Sequence, residues 1–214
     1  MDFGFVIFDL GNLQSKIENQ KCLVIGYGNP SRRDDGVAHY VLEKLRAKSE
    51  KQIQDTGYKI QNTGYWISSI LHPASGIQYL VDILACHQLG IELVEIIKDY
   101  DLVIFVDAYT DSANQKSKIK NQKCLLVAPV EAIYHPAAFT HHMNPSSLLA
   151  LTISLYQKEP RAFIVSVRGY DFDFGTELSP ETHKWADEAV NQILDMIEHR
   201  AESEGQEGEE GTGC

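Results

Sequence analysis

Cys22-Leu-Val-Ile-Gly-Tyr-Gly-Asn-Pro-Ser-Arg-Arg-Asp-Asp-Gly36 is a short apolar run that breaks into a glycine-rich turn and then delivers two adjacent carboxylates. Cys22 to Ile25 is too short and too continuously apolar for an amphipathic helix, so it reads as a buried strand. Gly26 and Gly28 permit backbone angles that other residues resist, and Asn29-Pro30 forces a turn. A helix is then expected from near Asp34, with Val37, Tyr40, Val41 and Leu45 on one face and Glu43, Lys44 and Arg46 opposite. The acids stand where the helix dipole favours negative charge. Capping that helix accounts for one of Asp34 and Asp35. It leaves the second without a reason.

A dinucleotide-binding fold also begins with strand, turn and helix. Its fingerprint wants a third glycine three residues after the second, where Ser31 stands. The turn also ends in acid, which repels a pyrophosphate.

The chain has 214 residues, enough for one domain with a sizeable core. A formal charge of −11 argues against a nucleic-acid partner. Part of that excess is local, because Ala201 to Cys214 carries five Glu and no cation. Residues 201–214 are read as a disordered acidic tail. Cys22, Cys86, Cys124 and Cys214 show no CxxC spacing and suit a reducing cytoplasm. The apolar opening lacks a basic flank and stops at Asp9, a poor signal peptide, and no stretch is long enough to span a bilayer. A cytoplasmic protein with no membrane association is expected.

Residues 1–20 read as an extension outside the single domain of residues 21–200. Gln14 to Leu23 has a near copy at Lys116 to Leu125, too irregular in spacing for a solenoid and read as accessory loop sequence. Residues 47–75 show no stable period and are interrupted by Gly57, Gly64 and Pro73, so they read as a long inserted loop. Strands are expected at 78–84, 102–108, 123–127 and 163–167, and a short helix after Gly90 with Ile91, Val94 and Ile97 on its apolar face. A further helix follows Asn144 as N-cap and Pro145 at its first position. Ser179-Pro-Glu181 announces the last helix, with Trp185, Ala189, Ile193 and Ile197 on its buried face.

Strands alternating with helices imply a three-layer α/β/α fold with a mostly parallel, twisted central sheet of about five strands. Leu102 to Ala108 is a strongly apolar strand carrying Asp107 near its C-terminal tip, where such folds place chemistry. The loops after strands one, three and four are expected to open on one edge. They carry Asp35, Asp107 and either His141 or His142. Two oxygen donors and one nitrogen donor suit a borderline divalent cation such as nickel or zinc. Hydrogen-bonded loop residues are the alternative. No GxSxG elbow, HExxH helix or P-loop is present.

Gly26-Tyr-Gly-Asn-Pro-Ser-Arg-Arg-Asp-Asp-Gly36, Val106-Asp-Ala108 and Thr140-His-His-Met143 resemble, in order and spacing, the nickel-iron hydrogenase maturation proteases. The resemblance runs from about Lys21 to Ile197. It implies an endopeptidase that removes a C-terminal extension from a hydrogenase large-subunit precursor after nickel insertion. It also implies Asp35, Asp107 and His141, with His142 as the alternate, as the residues that meet the nickel. Asp35 and Asp107 would be catalytic, by an aspartic-type or nickel-assisted hydrolysis. The nickel would be carried by the substrate, with none tightly bound at rest, and the enzyme would act as a monomer. Where many members carry an Asp-Gly-Gly-Thr turn, this chain has Ala85-Cys-His-Gln88, so Cys86, His87 and Gln88 are the expected substrate-recognition positions. A non-catalytic nickel-binding assembly factor is the alternative reading.

Overall fold

Strand β1 (Cys22–Tyr27) lies at the centre of the sheet and shows why its sequence is apolar throughout. Cys22 and Val24 point into one core, Leu23 and Ile25 into the other, and all four are at most 2% exposed. A strand covered on both faces has no polar side to display. The computed structural model describes residues 21–49, 58–59, 66–74, 77–110, 124–133 and 143–203. The expected N-terminal extension, most of the acidic tail, His141 and His142 lie outside the described residues.

The remaining strands are β2 (Tyr58–Lys59), β3 (Trp66–Ala74), β4 (Ile77–Cys86), β5 (Leu102–Tyr109), β6 (Leu125–Pro129) and β7 (Arg161–Arg168). They form one seven-stranded sheet of order β2-β3-β4-β1-β5-β7-β6. The four central strands β4, β1, β5 and β7 run parallel, and β2, β3 and β6 add antiparallel edges. Helices α1 (Val37–Ser49) and α4 (Pro180–Ser203) cover one face, and α2 (Val94–Ile97) and α3 (Pro145–Tyr156) the other. This is the three-layer α/β/α arrangement expected.

Helix α1 sets Val37, Ala38, Val41, Leu42 and Leu45 against the sheet, the i, i+4, i+8 stripe of an amphipathic helix. Ala186, Ala189, Val190, Ile193 and Ile197 do the same for α4. Helix α3 starts as its sequence promises. Asn144 Oδ1 accepts from the Ser147 amide at 2.8 Å, and Pro145 fills the first helical position.

Several expectations need correction. The strand at Leu125–Pro129 is antiparallel to β7, so its end leaves by the opposite edge of the sheet from β1 and β5. Part of the expected loop at 47–75 is regular structure, since α1 continues to Ser49 and β3 pairs antiparallel with β4 from Ile67↔Leu84 to Ala74↔Ile77. Both copies of the internal repeat end on strand starts, Cys22-Leu23 in β1 and Leu125 in β6, rather than in loops. Ile91, expected on a buried face, is 51% exposed, because residues 91–93 form a 3-10 turn before α2.

The helix expected near Asp34 begins as a 3-10 turn, Arg33–Gly36, and neither acid caps it. Asp34 is fully buried and points into the loop Gly169–Ser179 between β7 and α4. Its Oδ2 accepts from the amides of Tyr170 and Asp171 at 2.8 and 2.9 Å and from the hydroxyls of Ser179 and Thr182 at 2.7 and 2.8 Å. Its Oδ1 accepts from the Ser179 amide at 2.7 Å. Burial alone would raise this carboxyl. The hydrogen bonds from Tyr170, Ser179 and Asp171 outweigh it and hold the pKa below the ordinary value.

Asp34→Asn would remove the charge that five donors surround and set an amide NH2 against backbone N–H groups that can only donate. The variant is expected to lose about 3 kcal/mol of stability, read by urea unfolding at neutral pH. A depressed carboxylate contributes stability above its unfolded pKa and loses it as pH falls. Wild type should therefore weaken steeply below about pH 4, and Asp34→Asn much less so.

Candidate active site

The connection after β1 runs over the α1 face of the sheet and the one after β4 over the α2 face. β1 sits between β4 and β5, so neighbouring chain exits diverge and leave a crevice at the C-terminal ends of the strands. The crevice measures about 380 Å³. Asp35 and Asp107 both line it, as the sequence anticipates, together with His87 and Gln88.

Gly28 makes the turn after β1 possible. Its φ is +138°, and a Cβ there would stand 2.1 Å from the Asp35 carbonyl oxygen. The Gly28 amide donates to the Cys86 carbonyl at 3.2 Å, which ties this turn to the end of β4. The Asn29 amide donates to Asp35 Oδ2 at 3.1 Å and fixes the carboxylate over the turn. His39 Nε2 donates to the Gly28 carbonyl at 2.9 Å from the first turns of α1, with its ring edge-on to that of His87.

Asp107 enters by strand alternation. Val103 and Phe105 face the α2 and α3 core, so Asp107 falls on the same side. On the adjacent β1, Leu23 and Ile25 bring Tyr27 to that side too, and the Tyr27 phenol donates to Asp107. Burial is the main influence on Asp107 and lifts it from the ordinary 3.8 to about 6. Hydrogen bonds from Tyr27 and the Ala108 amide pull the other way, and the charge of Asp35 adds to the rise. Burial, then the neighbouring Asp107 charge, keeps the Tyr27 phenol protonated.

Met143 closes the opposite wall, and its amide donates to the Leu89 carbonyl at 3.2 Å. Met143 directly follows the paired histidines, which lie outside the described residues. Among the described residues no three His, Cys, Asp or Glu side chains gather as a metal site. Asp35 and Asp107 are the two expected ligands that are described, and both are in the crevice. Cys86 is 7% exposed and packs inside, with burial pushing its thiol up to about 12, while His87 and Gln88 are exposed on the rim. Cys22, Cys86 and Cys124 form no disulfide.

Tyr27, Asn29, Arg32 and Met143 also line the crevice and were not singled out from sequence. Tyr27 had a readable signal. It is two residues past Ile25 on a strand of known alternation, beside a strand carrying Asp107.

No protein-family model matches the sequence, and no curated protein matches it. Solved structures do match the fold. The hydrogenase maturating endopeptidase HybD from E. coli aligns over 83% of this chain and 91% of its own, with a TM-score of 0.54 and 20% identity. The NiFe hydrogenase maturation protease HybD from Thermococcus kodakarensis aligns over 83% and 99%, with a TM-score of 0.51 and 14% identity. The maturation protease HycI from Thermococcus kodakarensis KOD1 aligns over 87% and 98%, at 0.50 and 16%. The chain therefore has the fold of hydrogenase maturation endopeptidases. Among the described residues no helix is long and apolar enough to cross a membrane.

A carboxyl whose folded pKa is raised stabilises the fold at low pH and loses that contribution as pH rises from about 4 through 6. For Asp107 the loss is up to about 3 kcal/mol, from a rise of about two pH units. Asp107→Asn cannot ionise. Its stability relative to wild type is expected to rise between pH 4 and 7.5 by up to that amount, measured by paired urea unfolding curves.

Proposed function

We propose that this chain is a hydrogenase maturation endopeptidase, which removes the C-terminal extension of a hydrogenase large-subunit precursor once nickel has been inserted. The observation that carries the reading is the meeting of Asp35 and Asp107 in one crevice, on the fold that hydrogenase maturation endopeptidases share. The motif resemblance at Gly26–Gly36, Val106–Ala108 and Thr140–Met143 supports the same assignment.

Peptide hydrolysis needs a base to take a proton from water and an acid to return one to the leaving nitrogen. A carboxyl titrating at about 6 can hold or release a proton near neutral pH, which suits Asp107 to that exchange. Tyr27 keeps one Asp107 oxygen oriented. The Asn29 amide does the same for Asp35. Nickel carried by the precursor would supply positive charge between these two acids and polarise the groups it binds. In this reading His141, with His142 as the alternate, completes the set of residues that meet it. An empty precursor would leave the paired carboxylates without that compensation, so docking would report whether the metal is present.

Incubation of the purified chain with a nickel-loaded large-subunit precursor should shorten the precursor at its C-terminus, read by intact-mass spectrometry. Asp35→Asn and Asp107→Asn should each slow cleavage about 100-fold or more with circular dichroism unchanged. Calorimetric titration of the free protein with nickel should show only weak binding. Tight binding with no cleavage would favour a nickel-holding assembly factor instead.

A further inference from the structure

Phe174 is 89% exposed, on a loop that is otherwise firmly held. Scattered apolar side chains on a surface are ordinary. Here the setting differs, because the loop is fastened on both sides of Phe174 to the turn that builds the crevice. The Arg33 amide donates to the Gly175 carbonyl at 2.9 Å, and the Gly175 amide donates to the Ser31 carbonyl at 3.0 Å. Arg32 Nε and Nη2 donate to the Phe172 carbonyl at 3.1 and 3.0 Å. Arg33 pairs with Asp171 at 2.7 Å. Beneath them the buried Asp34 collects the Tyr170 and Asp171 amides.

The two nearest aromatic residues are engaged. The Phe172 ring packs over Gly169, where an added Cβ would meet it at 2.4 Å, and the Tyr170 ring lies under the Arg168 guanidinium at 5.0 Å. Phe174 is the most exposed of the three, at 89% against 44% for Tyr170.

We infer that Phe174 is an anchor by which the chain docks the folded body of its protein substrate, a partner presenting an apolar socket beside the segment that enters the crevice. The inference rests on the proposed peptidase function. Position selects the substrate as occupant. Arg32 lines the crevice and is bridged to Gly175, the residue next to Phe174. A specific interface covers about 800 Å² on each partner, a patch roughly 16 Å in radius if circular. Phe174 is one residue from the partner of a crevice-wall residue, so a protein whose chain end reaches Asp35 and Asp107 can extend its footprint over it. Energy selects the residue. Burying an exposed phenyl ring is favourable, and a fastened loop adds little ordering cost on binding. Aromatic anchors of this kind carry a large share of interface energy.

The test uses the full chain and a purified nickel-loaded precursor. Phe174→Ala should raise KM about 10-fold or more while kcat stays within about twofold, and Phe174→Trp should restore KM. Thermal unfolding should not move, since the side chain is almost wholly exposed. Precursor affinity, measured by biolayer interferometry, should fall in parallel with the rise in KM. Unchanged KM and affinity in Phe174→Ala would overturn the inference. So would a wild-type dimer by sedimentation that Phe174→Ala dissolves with no effect on precursor affinity. If wild type binds the precursor through Phe174 without cutting it, the docking stands and the peptidase reading falls.

Discussion

One buried carboxylate holds the crevice end of this molecule together. Asp34 joins the turn after β1, the loop after β7 and the first turn of α4, segments 136 to 148 residues away in sequence. Five donors around one charge are what make its burial tolerable. The consequence reaches its neighbour. Successive residues on a 3-10 turn point about 120° apart, so fixing Asp34 inward directs Asp35 away from the core and over the crevice. The adjacent acids thus divide two jobs, one structural and one facing the site.

The opposite compromise is made at Asp107. Strand alternation that packs Val103 and Phe105 into the core continues to residue 107 and places a carboxyl there. It has the Tyr27 phenol and the Ala108 amide as donors, fewer than Asp34 commands, and Asp35 nearby as a like charge. Its ionised form is therefore disfavoured. That cost distinguishes the partly buried Asp107 from the fully buried Asp34, whose ionised form its donors favour.

Much of this was legible in the sequence because it is local. The apolar run into Gly26 and Gly28, the strand carrying Asp107, and Asn144-Pro145 at a helix start each announce themselves within a few residues. What was not legible depends on partners far away. Nothing near Leu125 says that β6 lies antiparallel at an edge. Its mostly exposed residues, Leu126 and Val127 among them, are still apolar enough to read as a buried strand. The strand Trp66–Ala74 was hidden because Pro73 and the surrounding glycines signal a loop, while an edge pairing tolerates them. Asp34 was legible only as one of two acids of which one would cap a helix, because the residues that enclose it come from the far end of the chain.

The shape of the crevice bears on how specificity would arise in the proposed reaction. Sites for small organic ligands are mostly apolar, with a few polar groups fixing orientation. This one is walled largely by acids, imidazole, amide and guanidinium groups. A notch of that kind selects on charge, and charge alone separates a metal-loaded chain from an empty one without distinguishing one loaded protein from another. Discrimination by shape must come from surface outside the notch. The loop carrying Phe174 is the part of that surroundings joined to the crevice by Arg32. A fastened loop can present an aromatic side chain at constant distance from Asp35, so position along the substrate and charge at its reacting end are read together.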